Sequence, residues 1–187
     1  MDTKVGYVGL GVMGGRMAKN ILKKGFKLVG YDIKSETLKQ LVKEGVDPAT
    51  SPADVAKRSD IIITCLPATK EVEEAVLGPA GIFEGIKPGA IYINMSTSSP
   101  LLTKRIAEIF KKKGADVLGA PVSGGPPKAG SGTLTIMVGG DKQVLERCRP
   151  VLEAMGSNIY LVGDVGAGET VKIVNNARVF YARINIF

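Results

Sequence analysis

Two spacings of apolar residues alternate along this chain. Short, nearly continuous apolar runs of strand length recur at Lys27–Tyr31, Ile61–Leu66, Ala90–Met95, Asp116–Ala120, Thr133–Val138 and Asn158–Val162, after a first run that begins at Lys4. Runs such as IIITCL, apolar at consecutive positions, suit parallel strands buried on both faces. Between them lie segments with helical spacing. Residues Ser35–Glu44 carry Leu38, Leu41 and Val42 on one face, Ser51-Pro52 supplies an N-cap and a first-turn proline for a helix to Ser59, and Glu71–Leu77, Leu101–Lys113 and Asp141–Met155 follow. Gly25 closes the helix after the first strand. The order strand, helix, strand, helix predicts a doubly wound, mostly parallel α/β sheet over residues 1–163, with no internal repeat.

The first strand-to-helix turn, within KVGYVGLGVMGGRMAKN, carries Gly9, Leu10, Gly11, Val12, Met13 and Gly14. In G-x-G-x-x-G the first glycine makes a tight turn, the second admits a pyrophosphate close to the backbone, and the third lets helix and strand pack closely. This marks the sheet as Rossmann-like. The second run ends at Asp32, 18 residues beyond Gly14. A carboxylate at this strand tip accepts from ribose hydroxyls and repels a 2′-phosphate, which favours NAD. Lys34 would tolerate that phosphate, so NADP stays open. Asp32 as a turn starter or helix cap, competing with Ser35, is the plainer alternative.

Composition narrows the chemistry. The 187 residues include no His and no Trp, so an acid or base must be Lys, Asp, Glu, Tyr or Cys, and no metal site is expected. Cys65 and Cys148 are far apart, with Cys65 inside an apolar run, as in a reducing compartment. The formal charge of +7 is spread over helices apart from Lys111–Lys113, which ends a helix where cations complement the dipole. Few aromatics accompany it, so nucleic acid is not the expected partner, and no run is long enough to span a membrane. The chain opens directly on a strand, which leads to the expectation of a cytoplasmic protein without a leader.

Loops at the carboxyl ends of the strands supply the remaining candidates. Leu66 and Pro67 end the third long run, either lining a cofactor or merely stopping a strand. In Ser96–Ser99, Ser98 or Ser99 is expected to cap the next helix, while Thr97 can face a nicotinamide. Ser123, Gly124 and Gly125 offer a hydroxyl and close N–H groups able to hold a carboxylate, or form only a long turn. From Glu169 onward Ile173, Val174, Ala177, Phe180, Tyr181 and Ile184 fall at helical spacing. Lys172 and Asn176 share a face of that helix, and spacing alone would leave them solvated.

Four ordered blocks, VGYVGLGVMGGRMAKN, Leu66-Pro67, GAPVSGGPPKAGSGTLTIMVGG and GDVGAGETVKIVNN, resemble the β-hydroxyacid dehydrogenases. The resemblance implies a nicotinamide-dependent oxidoreductase interconverting a small 3-hydroxy acid and its semialdehyde. It implies Lys172 as general acid and base, Asn176 orienting the reacting oxygen, Ser123, Gly124 and Gly125 gripping the substrate carboxylate, and Gly9–Gly14, Asp32, Leu66, Pro67 and Thr97 at the cofactor. The family continues the Lys172 helix into an interdomain helix and an all-helical domain. Here residues 164–187 are expected to be only the start of that helix, in a truncated chain whose ending, ARVFYARINIF, departs from the family pattern. Phe180, Tyr181, Ile184 and Phe187 then need a partner surface, such as a second copy of the chain. A dinucleotide-binding module without catalysis is the alternative reading.

Overall fold

The computed structural model describes residues 3–184. Strands β1 (Lys4–Val8), β2 (Lys27–Tyr31), β3 (Asp47–Pro48), β4 (Ile61–Thr64), β5 (Ile91–Asn94) and β6 (Asp116–Gly119) are all parallel, in the order β3-β2-β1-β4-β5-β6. Strand β8 (Leu134–Gly139) runs antiparallel to β6 and to the short β7 (Val122–Ser123), and β9 (Gly156–Gly163) pairs parallel to β8. The Rossmann-like, mostly parallel sheet expected from the alternating pattern is thus present, with an antiparallel addition at one side.

Helices cover both faces: α1 (Val12–Lys23), α2 (Ser35–Val42), α3 (Pro52–Lys57), α4 (Thr69–Leu77), α5 (Ile82–Gly85), α6 (Pro100–Lys111), α7 (Gly125–Ser131), α8 (Lys142–Leu152) and α9 (Ala167–Ile184). The period of two explains why the central strands are apolar throughout. Ile61 and Ile63 of β4, with Ile91 and Ile93 of β5, enter one core with Met17, Ile21 and Val151, while Ile62 and Tyr92 enter the other with Val55, Val76, Ile106 and Phe110. Ser51 caps α3 as expected, its Oγ accepting from the Asp54 N–H at 3.1 Å with Pro52 in the first turn.

Several expectations are corrected. Strand β4 stops at Thr64, so Cys65 lies past the strand, and the second helix ends at Val42. Asp141 is a cap, accepting from Gln143 and Val144, and its helix ends at Leu152. Neither Ser98 nor Ser99 caps α6 with its side chain: the Ser98 hydroxyl is drawn inward to accept from Asn94 Nδ2 at 2.8 Å, and Pro100 begins the helix with no N–H to satisfy. The stretch after Ser123 is a helix rather than a long turn. Pro126 and Pro127 sit in the first turn of α7, where missing N–H groups cost nothing, and Gly132 ends it at φ +70°. Its hold comes from α1, where buried Asn20 donates to the Ala129 carbonyl at 2.8 Å.

Candidate active site

The β1–α1 turn shows a distinct role for each glycine. Gly9 has φ +91°, and a Cβ there would stand 2.5 Å from the Cys65 carbonyl oxygen. At Gly14 a Cβ would overlap the Gly9 carbonyl, so helix and turn could not close up. At Gly11 it would meet no protein atom within 4 Å. Nothing in the protein therefore requires that glycine, and the space beside it is free for a ligand. Gly11 is also the N-cap of α1, without a side-chain cap and with no acidic residue in the first turn. The helix thus presents bare N–H groups and its positive end, a setting that fits a pyrophosphate. Val12 is exposed, Met13 half-buried, and Leu10 only 1% exposed, so at Leu10 only the backbone faces the turn.

Asp32 acts first on this turn. One carboxylate oxygen accepts from the Leu10 N–H at 2.7 Å and the other from the Lys34 N–H at 2.8 Å. It therefore does not cap α2, whose N-cap is Lys34, and Ser35 makes no cap either. Each oxygen keeps a further lone pair, so ribose hydroxyls remain within its capacity.

The loops after β4 and β5 meet beside the same turn. Leu66 lies over Gly9, its methyl 2.7 Å from where a Cβ would stand, and its N–H donates to Ser96 Oγ at 2.9 Å. Pro67 and Thr97 are exposed at this edge. Gly9, Gly11, Gly14, Asp32 and Leu66 thus gather around one turn, with Pro67 and Thr97 following Leu66 and Ser96 in sequence.

A second cluster forms where α9 meets the β7 loop. Asn175 Nδ2 lies 3.4 Å from Ser123 Oγ, so the turn of α9 that carries Lys172 adjoins Ser123, Gly124 and Gly125. Lys172 is half-buried, and desolvation holds its ammonium below the ordinary 10.5. No carboxylate pairs with it among the described residues. Asn176 is exposed. Burial pushes the Cys65 thiol up to about 11 and that of Cys148 to about 12, which leaves both as thiols at neutral pH.

Between the clusters runs a buried polar chain. Tyr92 and Thr64 share a hydrogen bond of 2.8 Å, and Thr64 donates to Asn94 Oδ1 at 3.3 Å. Asn94 Nδ2 reaches Ser98 and Thr103, and Thr103 donates to Glu169 Oε1 at 2.7 Å. Sequence reasoning missed Asn175, Asn94, Thr103 and Glu169. Asn175 lies three residues from Lys172, within helical reach, and Asn94 is a polar interruption at the end of an apolar run. Nothing in the pattern marked Thr103 or Glu169.

Comparison with known proteins matches the fold. Residues 4–163 match the family described as the NAD binding domain of 6-phosphogluconate dehydrogenase. The chain is 44% identical over 173 residues to 2-(hydroxymethyl)glutarate dehydrogenase of Eubacterium barkeri, covering 92% of this chain and 58% of that one. It is 43% identical over 174 residues to mitochondrial 3-hydroxyisobutyrate dehydrogenase of Mus musculus, covering 93% and 52%. The structure of Mycobacterium tuberculosis 3-hydroxyisobutyrate dehydrogenase with L-serine superposes with a TM-score of 0.90 at 32% identity, over 96% of this chain and 60% of that one. The chain spans about half the length of the curated relatives it matches.

Proposed function

This chain belongs to the β-hydroxyacid dehydrogenase family, and from that premise we propose that it serves the reversible reduction of a small semialdehyde to a 3-hydroxy acid. The observation that supports this reading is the contact of α9 with the Ser123 loop through Asn175, three residues from Lys172 on the same helix. A nicotinamide dinucleotide, when bound, supplies or takes up the hydride. Gly11 and the N-terminus of α1 would hold its pyrophosphate and Asp32 its ribose. Asp32 favours NAD over NADP by about 1–2 kcal/mol through repulsion of a 2′-phosphate, or ~10-fold in affinity. Leu66, Pro67 and Thr97 would line the remainder.

Ser123 Oγ and the N–H groups of Gly124 and Gly125 bind the substrate carboxylate in this reading. L-serine, the ligand named with the mycobacterial relative, is itself a small 3-hydroxy acid. Lys172 Nζ gives a proton to the carbonyl oxygen in reduction and removes it in oxidation, and its half-buried position lowers the cost of both directions. Asn176, one turn on, orients that oxygen. In this reading the nucleotide-binding unit extends to residue 163, and α9, Ala167–Ile184, is the start of an interdomain helix. The exposed apolar side chains of α9, among them Val174 and Tyr181, serve association with a second copy. The test is oxidation of NADH and NADPH with a panel of short semialdehydes. NADH-dependent turnover that Lys172→Ala lowers at least ~100-fold, with NADH affinity unchanged, supports the reading. Binding without turnover would reduce the chain to a dinucleotide-binding module.

A further inference from the structure

Glu169 is a buried charged residue in the first turn of α9. It is 1% exposed, one helical turn before Lys172. Its Oε1 accepts from Thr103 Oγ1 at 2.7 Å and lies 3.5 Å from Asn94 Nδ2, while Oε2 has no partner among the described residues. The carboxyl lies directly on the Gly119 Cα at the end of β6, where any Cβ would overlap it. Three elements thus close around one side chain: β5 through Asn94, α6 through Thr103 and β6 through Gly119. A buried carboxyl with one idle oxygen is an expensive way to fill this volume, because an apolar side chain would leave no polar atom unpaired. Burial also raises its carboxyl above the ordinary 4.5, so that the neutral acid occupies the site over a wider pH range.

We propose that Glu169 is a positioning residue for Lys172: its carboxyl, hydrogen-bonded to Thr103 and set against Asn94 over the bare face of Gly119, fixes the rotation and depth of α9 against the carboxyl edge of the sheet. The proposal rests on the reading of Lys172 as acid and base. It connects the two clusters, since Asn94 also accepts from the Ser96 N–H at 3.1 Å and Ser96 holds Leu66. The depth at which the Lys172 ammonium sits is then set by Glu169, three residues away, through the helix backbone. A glutamine reproduces the shape of the neutral acid and keeps the acceptor for Thr103. Alanine removes the tie, and Thr103→Val removes the donor without emptying the space.

The experiment measures the titration midpoint of Lys172 in the full 187-residue chain, by NMR of lysines carrying ¹³C-methyl groups, with the signal assigned through Lys172→Arg. Helical circular dichroism checks that each variant is folded. The unaltered chain and Glu169→Gln are both expected to keep a midpoint below the ordinary lysine range, whereas Glu169→Ala and Thr103→Val move it up by about one pH unit as the ammonium gains water. Should Glu169→Ala not fold, Thr103→Val carries the comparison. A depressed midpoint that the Thr103 variant and any folded Glu169 variant leave in place overturns the positioning role alone. An ordinary midpoint in the unaltered chain overturns the acid-base reading of Lys172, and the positioning role with it.

Discussion

At Gly14 a Cβ would overlap the Gly9 carbonyl, whereas at Gly11 it would meet no protein atom, so two glycines of one motif answer to different demands. Gly14→Ala is expected to destabilise the fold by about 1–3 kcal/mol through overpacking. Gly11→Ala should cost less than ~1 kcal/mol, the scale of an N-cap change, while weakening dinucleotide binding. Denaturant unfolding and NADH titration of both variants separate the effects. Glu169 yields a pH prediction. Its folded-state carboxyl titrates above the unfolded one, so its contribution to stability is greatest below the ordinary 4.5 and declines as pH rises from there through the raised value. Unfolding free energies of the unaltered chain relative to Glu169→Gln should therefore fall from pH 4 to pH 7, and a flat difference would contradict the burial argument. The sequence showed the Gly9–Gly14 motif and the Lys172 spacing because these are local. Glu169 and Thr103 were invisible because their meaning is a contact across 66 residues.

Among the elements, α7 depends most on its surroundings. Residues GPPKAGS hold two prolines and two glycines, a composition that disfavours an isolated helix, and the pattern accordingly reads as a turn. What holds it is α1: Asn20 donates to Ala129, and Arg16 donates to the Pro126 carbonyl at 3.1 Å. Asn20→Ala leaves a buried carbonyl unpaired and is expected to cost about 1–3 kcal/mol, with faster amide exchange over residues 128–131. The parallel strands were legible because burial on both faces leaves a continuous apolar signature, as in Ile61–Thr64. The two-residue strands β3 and β7 were not, because two residues carry no period. The missed capping at Ser98 has a related cause: its hydroxyl follows Asn94 into the interior, a choice set by the tertiary network rather than by the local sequence.

Across the whole molecule, one edge of the sheet gathers the loops after β1, β4 and β5 together with α9, while apolar side chains remain uncovered on α9 and β9. Tyr160 is 55% exposed, Val174 63% and Tyr181 68%. Phe180, Ile184 and Phe187, counted with them from the sequence, have side chains outside the described residues. The proposed association through this surface predicts concentration-dependent sedimentation, with Val174→Lys and Tyr181→Lys together weakening self-association at least ~10-fold. The central claim is that the α1 N-terminus and Gly11 hold a dinucleotide. Calorimetric titration of NADH into the 187-residue chain and into Gly11→Val, side by side, addresses it most directly. Saturable one-to-one binding to the unaltered chain is expected, with at least ~10-fold weaker binding to a variant that remains folded. Absence of saturable binding, or equal binding by both proteins, would contradict it.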